Sequence, residues 1–227
     1  MKESQIEEIY EETLMVWEKL DSKTKKEMIE QSRIQSFSKD EILHAGREDC
    51  SGLFLLHSGR IRAYIVTEEG KEITLFRLVE GEVCVFSASC MLKNISFDVW
   101  ISAETEVVTA ILPSLLYDKI NSENPLIANF TNEIVNSRMS DVMWILEKVL
   151  FMRFDKRLAE FLYEQAALEG SDVLHITHEQ IARHLGSARE VVSRMLKYLA
   201  QEGLIHVTRG SIQLLNRKKL YEYGTEK

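Results

Sequence analysis

The segment from Ile176 to Leu204, ITHEQIARHLGSAREVVSRMLKYLAQEGL, constrains the fold of this chain more than any other part of its sequence. The motif Thr177-His-Glu-Gln has the spacing of a capping box, so a helix is predicted directly after Thr177. Ser187-Ala-Arg-Glu has the same spacing and predicts a second helix. Gly186, between the two motifs, allows the left-handed backbone of a tight helix exit. Two short helices joined by a glycine turn predict a helix-turn-helix.

The second predicted helix has a polar face and an apolar face. At about 100° per residue, the polar side chains fall within an arc of about 140°: Arg189, Glu190, Ser193, Arg194 and Lys197. The apolar side chains fall in a separate arc: Val191, Val192, Met195, Leu196 and Leu199. The apolar face predicts packing against a core, and the polar face is left for solvent or for a partner.

The polar face carries the chemistry of major-groove readout. Arginine can donate two hydrogen bonds to guanine, and glutamate can accept one from the cytosine amino group. Recognition helices contact bases near their N-terminus, so base readout is predicted for Arg189, Glu190, Ser193 and Arg194. Two short strands flank Arg209-Gly210 and predict a hairpin that serves as a wing. Phosphate contacts, which position a protein without specifying sequence, are predicted for Thr177, Ser187, Lys197, Thr208, Arg209 and Ser211.

From residue 34 to residue 112 the pattern changes to short apolar or alternating runs separated by glycines. Strands are predicted at residues 41–43, 53–56, 61–66, 73–78, 99–101 and 107–112. Glu68-Glu-Gly-Lys71 predicts a hairpin turn. Many short strands with regular turn signals predict an antiparallel barrel or sandwich of roughly 80 residues. The preceding residues 4–32 have helical spacing with a break near Asp21-Ser22.

A long helix is predicted from about Pro125 to Met152, after a short one over residues 114–120. One apolar stripe, interrupted by Arg138, contains the residues that we assign to a dimerisation helix: Ile127, Phe130, Ile134, Val142, Ile145 and Val149. A second stripe contains Val135, Met139, Val142 and Leu146. A helix apolar on two faces needs two partners, which would be the β domain and a second copy of the helix. The alternative is one helix buried in a larger monomeric core.

The C-terminal region predicts a helix capped by Asp155 and ending before Gly170, a short strand over residues 173–176, and then the helix-turn-helix and wing. The predicted boundaries are residues 1–124 for an effector-sensing β domain with N-terminal helices, 125–152 for the dimerisation helix, and 153–227 for the DNA-binding domain. Residues 150–227 contain 12 Lys and Arg against 10 Asp and Glu, although the whole chain has a net charge of −8. This asymmetry is compatible with an acidic sensor half joined to a DNA-binding half.

Composition excludes several other classes. There is no run of 18 or more apolar residues to predict a membrane span, and the acidic N-terminus lacks the apolar stretch of a signal peptide. The three cysteines are widely spaced and predict no disulfide framework. We therefore expect a cytoplasmic protein. No Ser/His/Asp arrangement, phosphate-binding loop or paired-carboxylate motif is present to predict an enzyme.

The order of β-barrel, long helix, helix-turn-helix and wing resembles the Crp/Fnr family of bacterial regulators. Arg189-Glu-Val-Val-Ser-Arg194 closely resembles the recognition-helix motif of that family. The resemblance implies an α+β fold with an N-terminal antiparallel β-barrel (a double-stranded β-helix of the cyclic-nucleotide-binding type), a long dimerisation helix and a C-terminal winged helix-turn-helix. It implies a homodimer on double-stranded DNA at an inverted repeat of TGTGA-like half-sites, with RNA polymerase and a small-molecule effector as further partners.

The same resemblance argues against a cyclic nucleotide as the effector. Gly81-Glu82 matches the start of the family's phosphate-binding cassette, but Phe97 and Asp98 stand where its Arg and Ser/Thr would be. A carboxylate would repel a cyclic phosphate, so cyclic AMP and GMP are not expected. The effector is unknown, and an apolar one in a Phe- and Met-lined pocket is the better interpretation. The predicted pocket residues are Glu82, Cys84, Phe97, Asp98, Met139, Val142 and Met143.

Three alternatives stay open on the sequence alone. Cys84 and Cys90 could form a thiol sensor or ligate haem or an iron–sulfur cluster, but their spacing fits no cluster motif, and two small buried side chains are the simpler interpretation. A cupin-type metal enzyme would need clustered histidines, and the β region offers His44 and His57 without His-x-His spacing. A ligand-sensing module that does not bind DNA is the third alternative. No metal is expected.

Overall fold

The computed structural model describes residues 2–46, 51–91 and 98–225. These residues divide into two compact units. Unit 1 contains Met1–Val66 and Leu75–Val142, and unit 2 contains Thr67–Thr74 and Met143–Lys227. No helix within the described ranges is long and apolar enough to span a bilayer.

The N-terminal helices of unit 1 are α1, Lys2–Thr13, and α2, Ser22–Gln31, with a 3-10 turn at Trp17–Lys19 between them. The break predicted near Asp21-Ser22 is confirmed, because the Asp21 carboxylate caps α2 and accepts hydrogen bonds from the backbone N–H groups of Lys23 and Thr24, each at 3.0 Å.

The strands of unit 1 form two four-stranded sheets, ordered β1-β8-β3-β6 and β2-β7-β4-β5. Their bounds are β1 Arg33–Phe37, β2 Ile42–Ala45, β3 Leu53–Ser58, β4 Arg60–Val66, β5 Glu72–Val79, β6 Val83–Cys84, β7 Trp100–Ala103 and β8 Val107–Leu112. The described registers, including β1 with β8 and β4 with β7, are antiparallel, as predicted. The sequence pattern missed β1, whose side chains are mostly polar or part-exposed, and the two-residue β6.

The predicted turn between β4 and β5 is also confirmed. The backbone N–H of Thr67 donates to the carbonyl of Lys71 at 2.8 Å. Gly70 has a φ of +78°, in the left-handed region that favours glycine. This turn lies in the Thr67–Thr74 segment of unit 2.

Two helices follow the strands: α3, Ser114–Glu123, and α4, Pro125–Phe151. Ile127 and Phe130 of α4 are only 1% and 5% exposed, and both pack in the apolar core of unit 1. These two residues of the stripe therefore pack on the β domain, which is one of the two partners expected for this helix; dimerisation through α4 stays a prediction. Ile134 and Val142 of the same stripe are partly buried against that core.

Unit 2 continues with elements that form a second apolar core. Their bounds are α5 Phe154–Glu169, β9 Val173–Leu174, α6 His178–Leu185, α7 Arg189–Gln201, β10 Ile205–Thr208, β11 Ser211–Leu214 and α8 Arg217–Thr225. The wing is confirmed, since β10 and β11 pair antiparallel across the predicted turn, and β11 also pairs with β9. The final helix α8 was not predicted.

The predicted cap of α5 is wrong. The N-cap residue is Arg153, and Asp155 lies inside the first turn. The carboxylate of Asp155 instead accepts hydrogen bonds from Tyr223 in α8, at 2.5 Å, and from Arg153, at 3.1 Å. A partner 68 residues away along the chain thus competes with the local capping role.

Candidate nucleic-acid interface

Helix α6 begins at the capping box that the sequence predicts. The Gln180 N–H donates to the Thr177 hydroxyl at 3.2 Å, and the Gln180 side chain accepts from the Thr177 N–H at 2.9 Å. Gly186 ends the helix with a φ of +64°. A Cβ at this glycine would lie 3.3 Å from Ile73, so both backbone conformation and space favour glycine here.

The second predicted capping box is wrong. Helix α7 has Ala188 as its N-cap, with no side-chain cap hydrogen bond. The backbone N–H of Ser187 donates to the carbonyl of Ala182 at 3.0 Å, so Ser187 completes the exit of α6. Helix α7 therefore begins one residue later than the sequence predicted.

The two faces of α7 are separated as predicted. Val192, Leu196 and Leu199 are buried in the core of unit 2. The polar residues Arg189, Glu190, Arg194 and Lys197 are exposed. Ser193 is half-buried, and its hydroxyl lies 2.6 Å from Nδ1 of His178. The side chains chosen for base readout thus share the outward face of α7.

A surface hollow of about 530 Å³ lies beside the N-terminus of α7, between the start of α6 and the wing. We call it the α6–wing hollow. Its lining brings together five predicted contact residues, Thr177, Arg189, Thr208, Arg209 and Ser211. Two residues that were not predicted, His178 and Glu179, also line it. Ser187 and Lys197, also predicted to contact phosphate, are not among its lining residues.

The charges of this surface are available to a partner. Among the described residues, Arg189, Glu190, Arg194 and Arg209 have no ion-pair partner. Burial, and then the positive charge of Arg189, lower the pKa of His178 below its ordinary value. Guanidinium groups on a convex helix face, next to wing hydroxyls, have the donor chemistry needed for base edges and phosphate oxygens.

The scaffold beneath α6 is held at its C-terminal end. The Arg157 guanidinium donates to the carbonyl of Leu185 at 2.7 Å, which satisfies one of the carbonyls that a helix end leaves unpaired. The Thr74 hydroxyl lies 2.9 Å from Nδ1 of His184, and the His184 ring packs against Phe161. These contacts fix the helix that positions α7.

In unit 1, Glu82 of the predicted effector site is engaged by a residue that the sequence interpretation did not include. Its carboxylate accepts from Arg138 of α4 at 2.7 Å and from the Val79 N–H at 2.8 Å. Arg138 also bonds Asp141 at 3.0 Å and lies over the Phe76 ring. The signal in the sequence was the charge that interrupts an apolar stripe.

The other predicted effector residues are not brought into one site by the described contacts. Met139 and Met143 are 56% and 50% exposed on α4, and Asp98 is exposed. Cys84 is buried and its burial raises the pKa of the thiol, as expected of a small core side chain. Phe97 lies outside the described residues, as does Cys50.

The two histidines considered as metal ligands have other partners. His44 is buried 3.3 Å from the Ser51 hydroxyl, and His57 lies 3.1 Å from Glu12. Within the part of the chain that the structure describes, no cluster of three or more His, Cys, Asp or Glu side chains could hold a metal ion.

Two known domain families match this chain. The cyclic nucleotide-binding domain matches residues 34–117, and the Crp-like helix-turn-helix domain matches residues 156–223. A Crp/Fnr-family transcriptional regulator from Eubacterium rectale has a similar crystal structure, with a TM-score of 0.91, 43% identity, and coverage of 93% of this chain and 98% of that chain.

Curated relatives agree with this structural match. Transcriptional regulator SdrP of Thermus thermophilus is 31% identical over 175 residues, which are 72% of this chain and 79% of SdrP. The cAMP-activated global transcriptional regulator CRP of Haemophilus influenzae is 26% identical over 175 residues, 74% of this chain and 77% of that protein. These relatives are regulators and not enzymes, which removes the cupin-type alternative. The chain belongs to the Crp/Fnr family of DNA-binding transcription regulators.

Proposed function

We propose that this protein is a cytoplasmic regulator that binds, as a homodimer, an inverted repeat of TGTGA-like half-sites and acts on RNA polymerase. Arg189, Glu190, Ser193 and Arg194 of α7 read base edges. The six residues predicted for phosphate contact hold the backbone: Thr177, Ser187, Lys197, Thr208, Arg209 and Ser211. An effector in unit 1 shifts α4 and the hinge at residues 151–155, and so controls binding.

One observation carries the DNA-reading part of the proposal. The outward face of α7 presents the cations and carboxylate that major-groove readout needs, and these groups have no ion-pair partner among the described residues. Arg189 additionally borders the α6–wing hollow with the wing hydroxyls. An exposed array without internal partners supports use by an external ligand with matching donors and acceptors.

The test is selection of binding sites from a randomised duplex library, followed by anisotropy titrations of the selected site and of random DNA. We expect an inverted repeat to be selected, with affinity that falls steeply as salt rises. Arg189→Ala is expected to cost about 1–3 kcal/mol on the selected site. Lys218→Ala is the matched control, because it removes an exposed cation from a different helix, α8. Recovery of no preferred sequence would remove the proposal.

The homodimer part rests on exposed apolar side chains of α4. Met139, Met143, Leu146 and Leu150 are each 45–62% exposed. Their alternating spacing of four and three residues is the heptad pattern of a coiled-coil seam. Exposure of such an apolar stripe to water is unfavourable, and a second copy of α4 would bury it.

Light scattering coupled to size exclusion tests the dimer. Leu146→Glu is expected to convert the dimer to a monomer, because two carboxylates would face each other in the seam. Leu115→Glu, at an 86% exposed apolar position of α3, is expected to leave the mass unchanged. A Leu146→Glu protein that stays dimeric would place the interface elsewhere.

The effector is proposed to be other than cyclic AMP or GMP. Glu82 is occupied by Arg138, and the family alignment puts the Asp98 carboxylate in a position that would face the cyclic phosphate. Calorimetric titration of the protein with cyclic AMP is expected to give no binding heat, and mass spectrometry of the purified protein would reveal a retained apolar ligand. Stoichiometric cyclic AMP binding would overturn this part alone.

A further inference from the structure

His178 makes a contact that the capping of α6 does not need. It is the first residue of α6, directly after the capping Thr177. Its ring reaches across to α7, where Nδ1 lies 2.6 Å from the Ser193 hydroxyl. Ser193 is one of the proposed base-reading residues, so a side chain of the supporting helix is bonded to a group of the reading face.

We propose that His178 is a positioning residue that decides whether the Ser193 hydroxyl accepts or donates a hydrogen bond at the DNA. This inference rests on the proposed function of α7 as the reading helix. A serine hydroxyl has one proton, and that proton can be given to only one acceptor. Whether His178 Nδ1 accepts or donates at Ser193 therefore determines whether the Ser193 hydroxyl can donate to a base or only accept from one.

The neutral ring with its proton on Nε2 leaves Ser193 as an acceptor. When Nδ1 carries no proton, the Ser193 hydroxyl donates to it, and the oxygen lone pairs face outward. An outward acceptor selects a base with a major-groove amino group, which is adenine or cytosine. Burial and the positive charge of Arg189 both lower the pKa of His178, so the ring is neutral at neutral pH and above. We assign its single proton to Nε2, which leaves Nδ1 to accept from the Ser193 hydroxyl.

The charged ring reverses the role of Ser193. A protonated Nδ1 donates to the Ser193 oxygen, which frees the hydroxyl proton for guanine or for the carbonyl oxygen of thymine. The charged groups that line the hollow beside His178 are Glu179 of α6, Arg189 of α7 and Arg209 of the wing. Both arginines stay charged at every pH used in the experiment below, so a change in base preference with pH would not come from them.

The experiment measures base preference at each half-site position. Duplexes carrying the selected inverted repeat are varied symmetrically through the four base pairs, one position at a time, and competed against each other. The position at which Ser193→Ala removes the preference identifies the Ser193 contact. At about pH 8, the wild type is expected to favour an amino-bearing base there by about three- to tenfold, the factor of one hydrogen bond.

Two variants of His178 separate positioning from a merely structural role. His178→Ala is expected to reduce that preference to less than about twofold at the Ser193 position only. His178→Asn, whose amide oxygen can still accept from Ser193 but does not titrate, is expected to keep the preference. Because the pKa of His178 is lowered, the pH is decreased stepwise to well below the ordinary pKa of histidine; over this series the wild type loses or reverses the preference and His178→Asn does not. His206→Ala, at an exposed histidine of β10, is the control and changes nothing.

The outcomes are distinguishable. A His178→Ala protein that keeps the full preference which Ser193→Ala removes would overturn the inference, and would leave the proposed reading by α7 intact. A wild-type preference unchanged over the whole pH series would also overturn it. A wild type without sequence preference at any position would remove the proposed function itself. Should His178→Ala not fold, His178→Asn and the pH comparison decide.

Discussion

In unit 1 the arginines Arg60, Arg77 and Arg138 are each held by a carboxylate, whereas Arg189 and Arg194 on α7 of unit 2 extend into solvent. Glu104 accepts from Arg60 at 2.6 Å and from Arg77 at 2.8 Å, and the three side chains are 12–15% exposed. Charges withdrawn from water need partners, and unit 1 supplies them. Unit 2 leaves the charges of α7 exposed, where a partner molecule can reach them.

The comparison separates an enclosed set of charges in unit 1 from an exposed set on α7, and the two sets should respond differently to substitution. Removing a charge from the enclosed set should cost folding free energy and leave base preference unchanged. Removing a charge from the exposed set should do the reverse. The two sets share no residue, so variants of each can be compared one at a time.

The largest effect is expected from Glu104→Ala. This change leaves Arg60 and Arg77 facing each other without their carboxylate, at a site that water reaches poorly. We expect the free energy of unfolding of unit 1 to fall by about 3–5 kcal/mol, the cost of breaking a buried pair. Urea unfolding followed by tryptophan fluorescence measures it.

The matched control for Glu104→Ala is Glu30→Ala on α2. Glu30 pairs with Lys26 at 3.7 Å, but the two side chains are 54% and 75% exposed, so the loss should be below about 0.5 kcal/mol. Equal losses in the two variants would show that enclosure of the charges does not matter.

Arg194→Ala is expected to have the opposite signature. The loss on the selected DNA site should be about 1–3 kcal/mol, concentrated at one base position, with unfolding free energy unchanged. Lys197→Ala, a proposed phosphate contact on the same face, should weaken binding to all sequences alike and lower the salt slope by about one. Anisotropy titrations over a salt series distinguish them. Identical behaviour of the two variants would contradict the division of the face into base and phosphate contacts.

The features that the sequence predicted correctly are local ones. The capping of α6 by Thr177, the turn at Gly186 and the two faces of α7 depend on residues within one or two helical turns. One error is local as well, because the Ser187 N–H completes the exit of α6 by bonding Ala182; the error at α5 arises where a distant residue competes. Asp155 bonds Tyr223 in preference to capping α5.

The missed features of the site have the same origin. The Arg138–Glu82 pair joins residues 56 positions apart, and the His178–Ser193 bond joins residues 15 positions apart on two helices. Periodicity and motif spacing carry no information about such pairings. The sequence could place Ser193 on the reading face, but could not show that its hydroxyl already has a partner.

Gly186→Ala tests how closely the scaffold of the reading helix depends on local backbone geometry. The left-handed conformation costs an alanine about 1–2 kcal/mol, and the added Cβ would also press on Ile73 at 3.3 Å. Gly203→Ala is the matched control, because its φ of +70° is similar and a Cβ there meets nothing within 4 Å. Thermal unfolding should show a larger loss for Gly186→Ala. Equal losses would mean that only the backbone conformation counts.

The smallest expected effect concerns Asp155, the enclosed carboxylate of unit 2. Burial opposes its ionisation, but the hydrogen bond from Tyr223 and the charge of Arg153 hold its pKa below the ordinary value. Because the pKa is lower in the folded chain than in the unfolded chain, this stabilisation is complete above the ordinary pKa. It is lost as the pH falls through the folded value.

Tyr223→Phe should therefore lower the free energy of unfolding by about 1 kcal/mol at neutral pH, and the difference from the wild type should shrink as the solution is acidified. Urea unfolding at a series of pH values measures this. Tyr221→Phe, at an exposed tyrosine of the same helix, is the control. A difference between Tyr223→Phe and wild type that stayed constant down to the acid transition would mean that the phenol stabilises unit 2 by packing. Asp155 would then no longer count as a charge held in place by its partners, and the contrast between enclosed and exposed charges would apply to unit 1 and α7 only.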